Sequence, residues 1–201
     1  MMMNCLKRSL VLFTVTLSIV VGISPSLAAE PLDLVRSVSE RVIEILKDPG
    51  LKGADSRPQR VERLKAIVNP VFDYDEMAQL TLGGHWRQRS AAEQQEFVKL
   101  FRGFLEKIYT DKADLYAGER LVLGRESIDR EFAEVESRLI DTKRQAVTVI
   151  YRLKRGDGGW KIYDAVVENI SIVNNYRSQF DRVIGKSSYD ELKKMLRDKG
   201  A

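Results

Sequence analysis

Residues 144–167 read RQAVTVIYRLKRGDGGWKIYDAVV, and this stretch decides the fold class. Apolar and polar side chains alternate on both sides of the glycine-rich segment 156–159, with the two-residue period of half-buried strands. Two such strands joined by a short glycine-containing turn form a β-hairpin. The residues that share one face of the first strand are Val147, Val149, Tyr151 and Leu153. The stretch therefore predicts an antiparallel pair with one apolar face.

Two earlier segments have the same period, so the sheet extends beyond the hairpin. The four predicted strands are Leu121–Ile128, Phe132–Ile140, Arg144–Lys154 and Trp160–Val167. The predicted inward residues of the second strand are Ala133, Val135, Ser137 and Leu139. Short connections imply antiparallel pairing, which leaves one face of the sheet free to receive helices.

Helical periodicity flanks the predicted strands on both sides. The predicted helices are Leu32–Lys47, Gln59–Val68, a short helix from Asp73 through Leu82, a long helix from Ala91 to about Tyr116, Asn174–Ile184, and a last helix from Ser188 to about Asp198. Ser90 with Glu93 has the spacing of a capping box at the start of the long helix. The order of helices, four-stranded antiparallel sheet and helices predicts the α+β class.

The long helix has an unusually wide apolar face. Its apolar residues are Phe97, Val98, Leu100, Phe101, Phe104, Leu105, Ile108 and Tyr109. They cover roughly half of the circumference, compared with the stripe of about 100° on an ordinary surface helix. A face this wide has to be covered from two sides. Core packing explains it, and so does a position in the wall of a cavity.

The N-terminal segment has the organisation of an export signal. Lys7 and Arg8 precede an apolar run, Leu10–Ile23, and small residues around Ala28 follow it. The run has 14 residues, fewer than the roughly 20 that a membrane-spanning helix needs. We therefore expect residues 1–28 to be a cleaved secretory signal peptide and residues 29–201 to form a single domain.

Charge and cysteine content restrict the function of that domain. Loss of Lys7 and Arg8 with the signal would reduce the net charge from +4 to +2, and Cys5, the single cysteine, would leave with them. Without cysteine, disulfides and zinc–thiolate sites are excluded. Charged residues of both signs are interspersed, which is typical of a solvated surface and not of a nucleic-acid interface.

The search for catalytic chemistry gives one candidate. His85 is the only histidine and has no histidine or cysteine companion, so no metal site is predicted. No cofactor is predicted either, and Asp164 is the one side chain to weigh as a catalytic group. Asp164 shares strand parity with Trp160, Ile162 and Val166, which places a carboxylate on an apolar face. Such a group acts as a general base when its pKa is raised. A position at a β-bulge, with hydrogen bonds from backbone amides, is the alternative explanation.

Three stretches resemble the MlaC family of periplasmic phospholipid carriers, also called the toluene-tolerance family. The matching residues are Phe72-Asp73, Met77, Leu82-Gly83 and His85-Trp86-Arg87; Phe97, Phe101, Leu105 and Tyr109; and Trp160–Asp164, Val167–Ser171 and Asn175–Phe180. The resemblance covers nearly all of residues 29–201, and Trp160–Phe180 is its most specific part. Asn169 departs from the glycine that is common at this position of the family.

The resemblance implies a monomeric, non-enzymatic carrier with an NTF2-like arrangement and a deep apolar pocket. It implies a phospholipid ligand with buried acyl chains, and transient contact with an inner-membrane ABC-type transporter complex and an outer-membrane lipoprotein complex. Such a shuttle maintains the lipid asymmetry of the outer membrane. Helix angle and strand parity select these lipid-binding candidates: Phe101, Phe104, Leu105, Ile108, Tyr109, Val147, Val149, Tyr151, Ile162 and Val166.

Two alternatives from other functional classes remain open. A helix-covered sheet also hosts small isomerases and hydrolases of apolar substrates, in which Asp164 would be the base and Tyr109 or Tyr151 the proton donor. A periplasmic holdase for apolar polypeptides is the other. An Asp164→Asn variant separates enzyme from carrier, and the chemical nature of the bound adduct separates carrier from holdase.

Overall fold

A computed structural model describes residues 30–200 as helices on a single antiparallel sheet. The helices are α1 (Pro31–Lys47), α2 (Arg57–Val68), α3 (Tyr74–Leu82), α4 (Ala91–Ala113), α5 (Ile172–Lys186) and α6 (Tyr189–Gly200). Short 3-10 turns occupy Pro49–Leu51, Asn69–Val71 and Gly83–Gln88. The predicted signal peptide lies outside the described residues and stays a prediction. Within residues 30–200, no helix has the length and hydropathy required to cross a membrane.

The predicted α+β class is confirmed, with one strand added. The strands are β1 (Arg120–Asp129), β2 (Phe132–Ile140), β3 (Ala146–Gly156), β4 (Gly159–Val167) and β5 (Ile170–Ser171), in the spatial order of the sequence. β5 has only two residues and pairs with the end of β4. It was not predicted because two residues carry no periodicity.

The turn between β4 and β5 explains why Asn169 replaces the expected glycine. Glu168 and Asn169 both have positive φ angles, 47° and 65°. Asparagine populates this left-handed region more readily than most other residues with a side chain, so it substitutes for glycine here. The Glu168 backbone amide donates a hydrogen bond of 3.0 Å to the Thr148 carbonyl, which anchors the turn to β3.

A β-bulge in β4 changes the side-chain parity expected from the sequence. Leu153 pairs with Ile162 whereas Arg152 pairs with Asp164, so Tyr163 is an extra residue in the ladder. The bulge places Asp164 and Val166 on the sheet face opposite Ile162. The expected parity of Asp164 with Val166 is confirmed, but their expected parity with Ile162 is wrong, because a bulge depends on pairing with a distant strand and not on local alternation.

Buried side chains form two separate clusters. Four helices build the first from Met77, Ala78, Leu82, Phe97, Phe101, Phe104, Val173, Phe180, Tyr189, Leu192 and Leu196. The second joins α1 to the sheet and consists of Val35, Ala133, Val135, Leu153, Trp160 and Ile162. We call these the helical cluster and the sheet cluster. Most apolar residues of α4 belong to the helical cluster or pack against it.

Candidate functional site

An apolar cavity of about 470 Å³ lies beside the sheet cluster, between α1, α2, the last turns of α4 and the sheet. Ligand pockets typically have volumes of roughly 300–1,000 Å³. An engineered cavity of about 150 Å³ binds benzene, so this one has room for about three such molecules, which is on the order of one acyl chain. Its apolar wall consists of Val35, Val38, Val42, Ile43, Leu46, Leu64, Val68, Phe72, Ala113, Leu115, Leu121, Leu139, Ile162 and the rings of Tyr109, Tyr116 and Tyr151.

A second, more open groove at the surface between α1 and α2 has different chemistry. Its volume is about 940 Å³, but six of its eleven lining residues are charged. The charged residues are Glu40, Arg41, Glu44, Lys47, Asp48 and Arg63. Since small-molecule pockets are mainly apolar with few polar groups, the smaller cavity is the stronger candidate for a ligand site.

A half-buried polar network fixes the orientation of Tyr109 in the cavity wall. The Tyr109 hydroxyl donates to Asn69 Oδ1 at 3.3 Å, and the Asn69 amide donates to Glu106 Oε1 at 2.8 Å. Burial opposes ionisation of Glu106, but hydrogen bonds from Arg102, Lys65 and Asn69 outweigh it and lower its pKa. Burial raises the pKa of Tyr109, so the phenol stays neutral. The network leaves the ring, and not the hydroxyl, to meet an apolar ligand.

Ion pairs join α2 to the end of α4 next to the cavity. Asp114 accepts from Arg57 Nε at 2.7 Å and from Arg60 Nη2 at 2.6 Å, and Asp111 accepts from Arg57 Nη2 at 3.0 Å. Arg60 also donates to the Leu51 carbonyl. Burial opposes ionisation of Asp114, but the hydrogen bonds from Arg60 and Arg57 prevail and lower its pKa. We call this group the α2–α4 clasp.

The structure brings three of the predicted lipid-binding residues into the cavity wall: Tyr109, Tyr151 and Ile162. Phe101 and Phe104 belong to the helical cluster, and Leu105 and Ile108 pack against it. The sheet register places Val147 beside Leu139 and Val149 beside Ser137, on the face that contributes Leu139 to the cavity. Val147 is 39% exposed. Val166 lies on the opposite face of the sheet.

The main contribution that the sequence interpretation missed comes from α1. Val35, Val38, Val42 and Leu46 line the cavity along one side of this helix. Their three- and four-residue spacing marked an apolar face in the sequence. It did not show that the face borders an open space, because that depends on how α1 is placed over the sheet.

The Asp164 carboxylate lies outside the cavity wall and accepts three hydrogen bonds. The carboxylate is 3% exposed and accepts from the Ser171 hydroxyl at 2.6 Å, the Val173 amide at 3.1 Å and Arg152 Nη1 at 3.3 Å. These bonds connect β4 to the start of α5. The bulge interpretation of Asp164 matches this geometry, since its acceptor sites are used in positioning the helix.

Two further polar side chains, His85 and Asp73, have structural roles. His85 Nε2 lies 2.9 Å from Asp181 Oδ1, which links the turn after α3 to α5. Asp73 Oδ1 accepts from the Glu76 amide at 3.0 Å and caps α3. No group of three or more histidine, cysteine or carboxylate side chains in residues 30–200 has the geometry to bind a metal ion.

The fold and cavity define a helix-covered antiparallel sheet with an internal apolar site. The model of the MlaC protein family matches residues 36–198, and the chain belongs to this family. The chain is 22% identical over 138 residues to the intermembrane phospholipid transport system binding protein MlaC of Haemophilus influenzae. That alignment covers 64% of each protein, so the chain spans slightly less than two thirds of the length of this relative.

A solved structure has the same fold. It is a phospholipid-binding protein from Ralstonia solanacearum in complex with a phospholipid, with a TM-score of 0.75 and 23% sequence identity. The match covers 86% of this chain and 97% of the other. The family assignment and the fold likeness agree with the resemblance found in the sequence.

Proposed function

We propose that this chain carries phospholipid through the periplasm, with an acyl chain in the cavity. In this proposal it exchanges lipid with an inner-membrane ABC-type transporter complex and an outer-membrane lipoprotein complex, and so maintains outer-membrane lipid asymmetry. The apolar cavity of about 470 Å³ carries the proposal. Two relatives also support it: the phospholipid transport system binding protein of Haemophilus influenzae and the phospholipid-binding protein of Ralstonia solanacearum.

The energetics of lipid transfer favour a cavity over an exposed surface site. Burial of one methylene from water stabilises by about 0.8 kcal/mol, so roughly 30 methylenes would contribute about 24 kcal/mol. This exceeds the practical limit of about 18 to 21 kcal/mol for non-covalent binding. In a membrane, however, the acyl chains are already out of water, so cavity and bilayer nearly balance. A small change on docking then reverses the direction of transfer, and no catalytic group is needed.

The apolar face of β3 is the proposed site of a second acyl chain. The cavity volume corresponds to about one chain, whereas Val147 and Val149 continue the apolar face beyond Tyr151. We propose that the second chain of a two-chain lipid lies along these residues. A Val149→Glu variant should then lose two-chain lipids, whereas Thr148→Glu on the opposite face should retain them. Equal retention by both variants would contradict this placement.

The export-signal pattern in residues 1–28 and the intermembrane transport system of the Haemophilus influenzae relative support a periplasmic location. A carrier that crosses the periplasm has to be released from each membrane, which favours transient contacts and a monomer. Detection of the processed chain in a periplasmic extract, with a mass that begins after Ala28, tests the location. A full-length chain in the membrane fraction would contradict it.

Transfer between reconstituted membranes tests the function directly. Donor vesicles with labelled phospholipid and the inner-membrane transporter are separated from acceptor vesicles with the outer-membrane complex by a membrane that passes only protein. Label should reach the acceptor when the chain is present. A Val42→Phe variant, which fills the cavity, should transfer much less, whereas Ile170→Phe on the exposed surface should match the wild type. Equal transfer by Val42→Phe would contradict the proposal.

A further inference from the structure

Most polar groups at the cavity wall already have partners within the protein. The Tyr109 hydroxyl donates to Asn69, and the Tyr116 hydroxyl donates to the Glu119 carbonyl at 3.1 Å. Glu119 Oε2 accepts from the Ala117 amide at 2.8 Å. These groups are engaged in the wall itself. They are therefore poor candidates to recognise the polar part of a ligand.

Lys112 differs from these groups because it is the only basic residue of the cavity wall. The neighbouring carboxylates on α4 are engaged elsewhere: Asp111 pairs with Arg57, and Asp114 pairs with Arg57 and Arg60. No ion pair of Lys112 occurs within residues 30–200. Its ammonium group is therefore available to an anionic ligand.

Lys112 also lies where the cavity wall is exposed to solvent. Lys112 is exposed and lies three residues before Leu115, a wall residue that is 69% exposed. Ser39 on α1 adds a hydroxyl to the same wall. Lys112 and Ser39 thus add a cation and a hydroxyl to an otherwise mostly apolar wall. These are the groups that bind phosphate oxygens.

We propose that Lys112 binds the phosphate of the carried lipid and thereby fixes which end of the ligand faces solvent. This inference rests on the proposed function, since it assigns the polar end of that ligand. It adds a selectivity: a lipid with phosphate is preferred over a neutral lipid with the same acyl chains. The preference is modest because the ion pair is exposed to water.

Competition between two lipids with identical chains measures this selectivity. Delipidated protein is incubated with vesicles that contain phosphatidylglycerol and diacylglycerol in equal amounts, and the bound lipids are quantified by mass spectrometry. Lys112→Glu should lower the bound ratio of phosphatidylglycerol to diacylglycerol by about twofold to fivefold. Lys112→Met should lower it less, because it removes the attraction without adding repulsion.

Lys99→Glu is the matched control, because Lys99 is exposed on α4 and lines a separate surface groove. Its ratio should equal that of the wild type. An unchanged ratio in Lys112→Glu, or an equal fall in Lys99→Glu, overturns the assignment of Lys112. If the wild type takes up neither lipid, the proposed function itself fails, so the two failures are distinguishable.

Inorganic phosphate separates a lipid headgroup site from a site for the free anion. Added at constant ionic strength, it should leave phosphatidylglycerol bound, because the acyl chain supplies most of the affinity. Release of the lipid from the wild type, but not from Lys112→Glu, would assign the site to free phosphate and overturn the headgroup assignment.

Discussion

The helical cluster and the region around the sheet cluster have similar apolar side chains but differ in how closely these side chains pack. Phe97, Phe101 and Phe180 have no exposed surface and contact one another edge to face or in parallel. On the sheet side, a cavity of about 470 Å³ lies beside the sheet cluster, and much of its wall is only half-buried. Since voids reduce the contacts of the side chains around them, the cavity has a cost in stability. The contrast indicates that one half is packed for stability, while the other half leaves space for the proposed ligand.

The largest expected effect comes from removing a ring of the helical cluster. Phe101→Ala should lower the free energy of unfolding by about 3–5 kcal/mol, because a fully buried aromatic side chain leaves a cavity. Phe72→Ala in the cavity wall should cost less in the lipid-free protein, because Phe72 already borders an open space. Chemical denaturation of both variants measures the difference. Equal costs would contradict the contrast between the two regions.

A smaller effect is expected at Asp164, which connects the two regions. Asp164→Ala should lower the free energy of unfolding by about 3 kcal/mol, because it leaves the buried donors of Ser171 and Val173 unsatisfied and removes one partner of Arg152. Asp164→Asn keeps acceptor capacity and should cost less. A carrier retains its lipid in Asp164→Asn, whereas an enzyme that uses this base loses turnover. Loss of a measured turnover with lipid binding intact would favour the enzyme alternative.

A larger side chain should destabilise the helical cluster more than the cavity wall. Val173→Phe in the helical cluster should cost about 1–3 kcal/mol, because a close-packed core resists additional atoms. Val42→Phe should change the stability of the lipid-free protein little, since the new ring enters the cavity. Lipid occupancy should fall in Val42→Phe and not in Val173→Phe. Mass spectrometry of extracted lipid, combined with thermal denaturation, measures both. A strongly destabilised Val42→Phe would mean that the cavity is too small or closed.

The smallest expected effect concerns the α2–α4 clasp and its pH dependence. Asp114→Asn should lower the free energy of unfolding by about 1 kcal/mol at neutral pH, because the ion pairs are partly exposed. The pKa of Asp114 is lowered below its ordinary value of 3.8. The contribution is therefore present above pH 3.8 and disappears as the pH falls through the lowered value.

Unfolding curves of wild type and Asp114→Asn at a series of pH values test this dependence. Their difference should be constant from pH 7 to about pH 5 and should shrink in acid. Asp33→Asn is the control, because Asp33 lies 4.0 Å from Arg36 and is highly exposed. A difference that grows in acid would show that the clasp does not stabilise through the Asp114 carboxylate.

Local features of the fold were predictable from the sequence. The capping box of α4 is confirmed: the Ser90 amide donates to Glu93 Oε2 at 2.8 Å, and the Glu93 amide donates to Ser90 Oγ at 3.3 Å. The inward face of β2 also agrees, since Ala133, Val135 and Ser137 are buried. Both depend on residues that are close in sequence, so short-range chemistry determines them.

The candidate site was less predictable because its geometry depends on long-range placement. Tyr163 forms a bulge because of the register between β4 and β3. The bulge places Val166 on the sheet face opposite the cavity. The apolar residues of α4 indicated a wide buried face, but not which half would meet α6 and which half would border a cavity. The contribution of Val42 depended likewise on the position of α1 over the sheet. Periodicity reveals which residues are apolar neighbours, and the packing decides whether a space remains between them.

Native mass spectrometry of the protein as purified from a Gram-negative periplasm tests the central claim most directly. We expect an adduct with the mass of a phospholipid, which collisional activation releases and which Val42→Phe lacks. A wild-type protein without any lipid adduct, with undiminished thermal stability and no uptake from vesicles, would contradict the account.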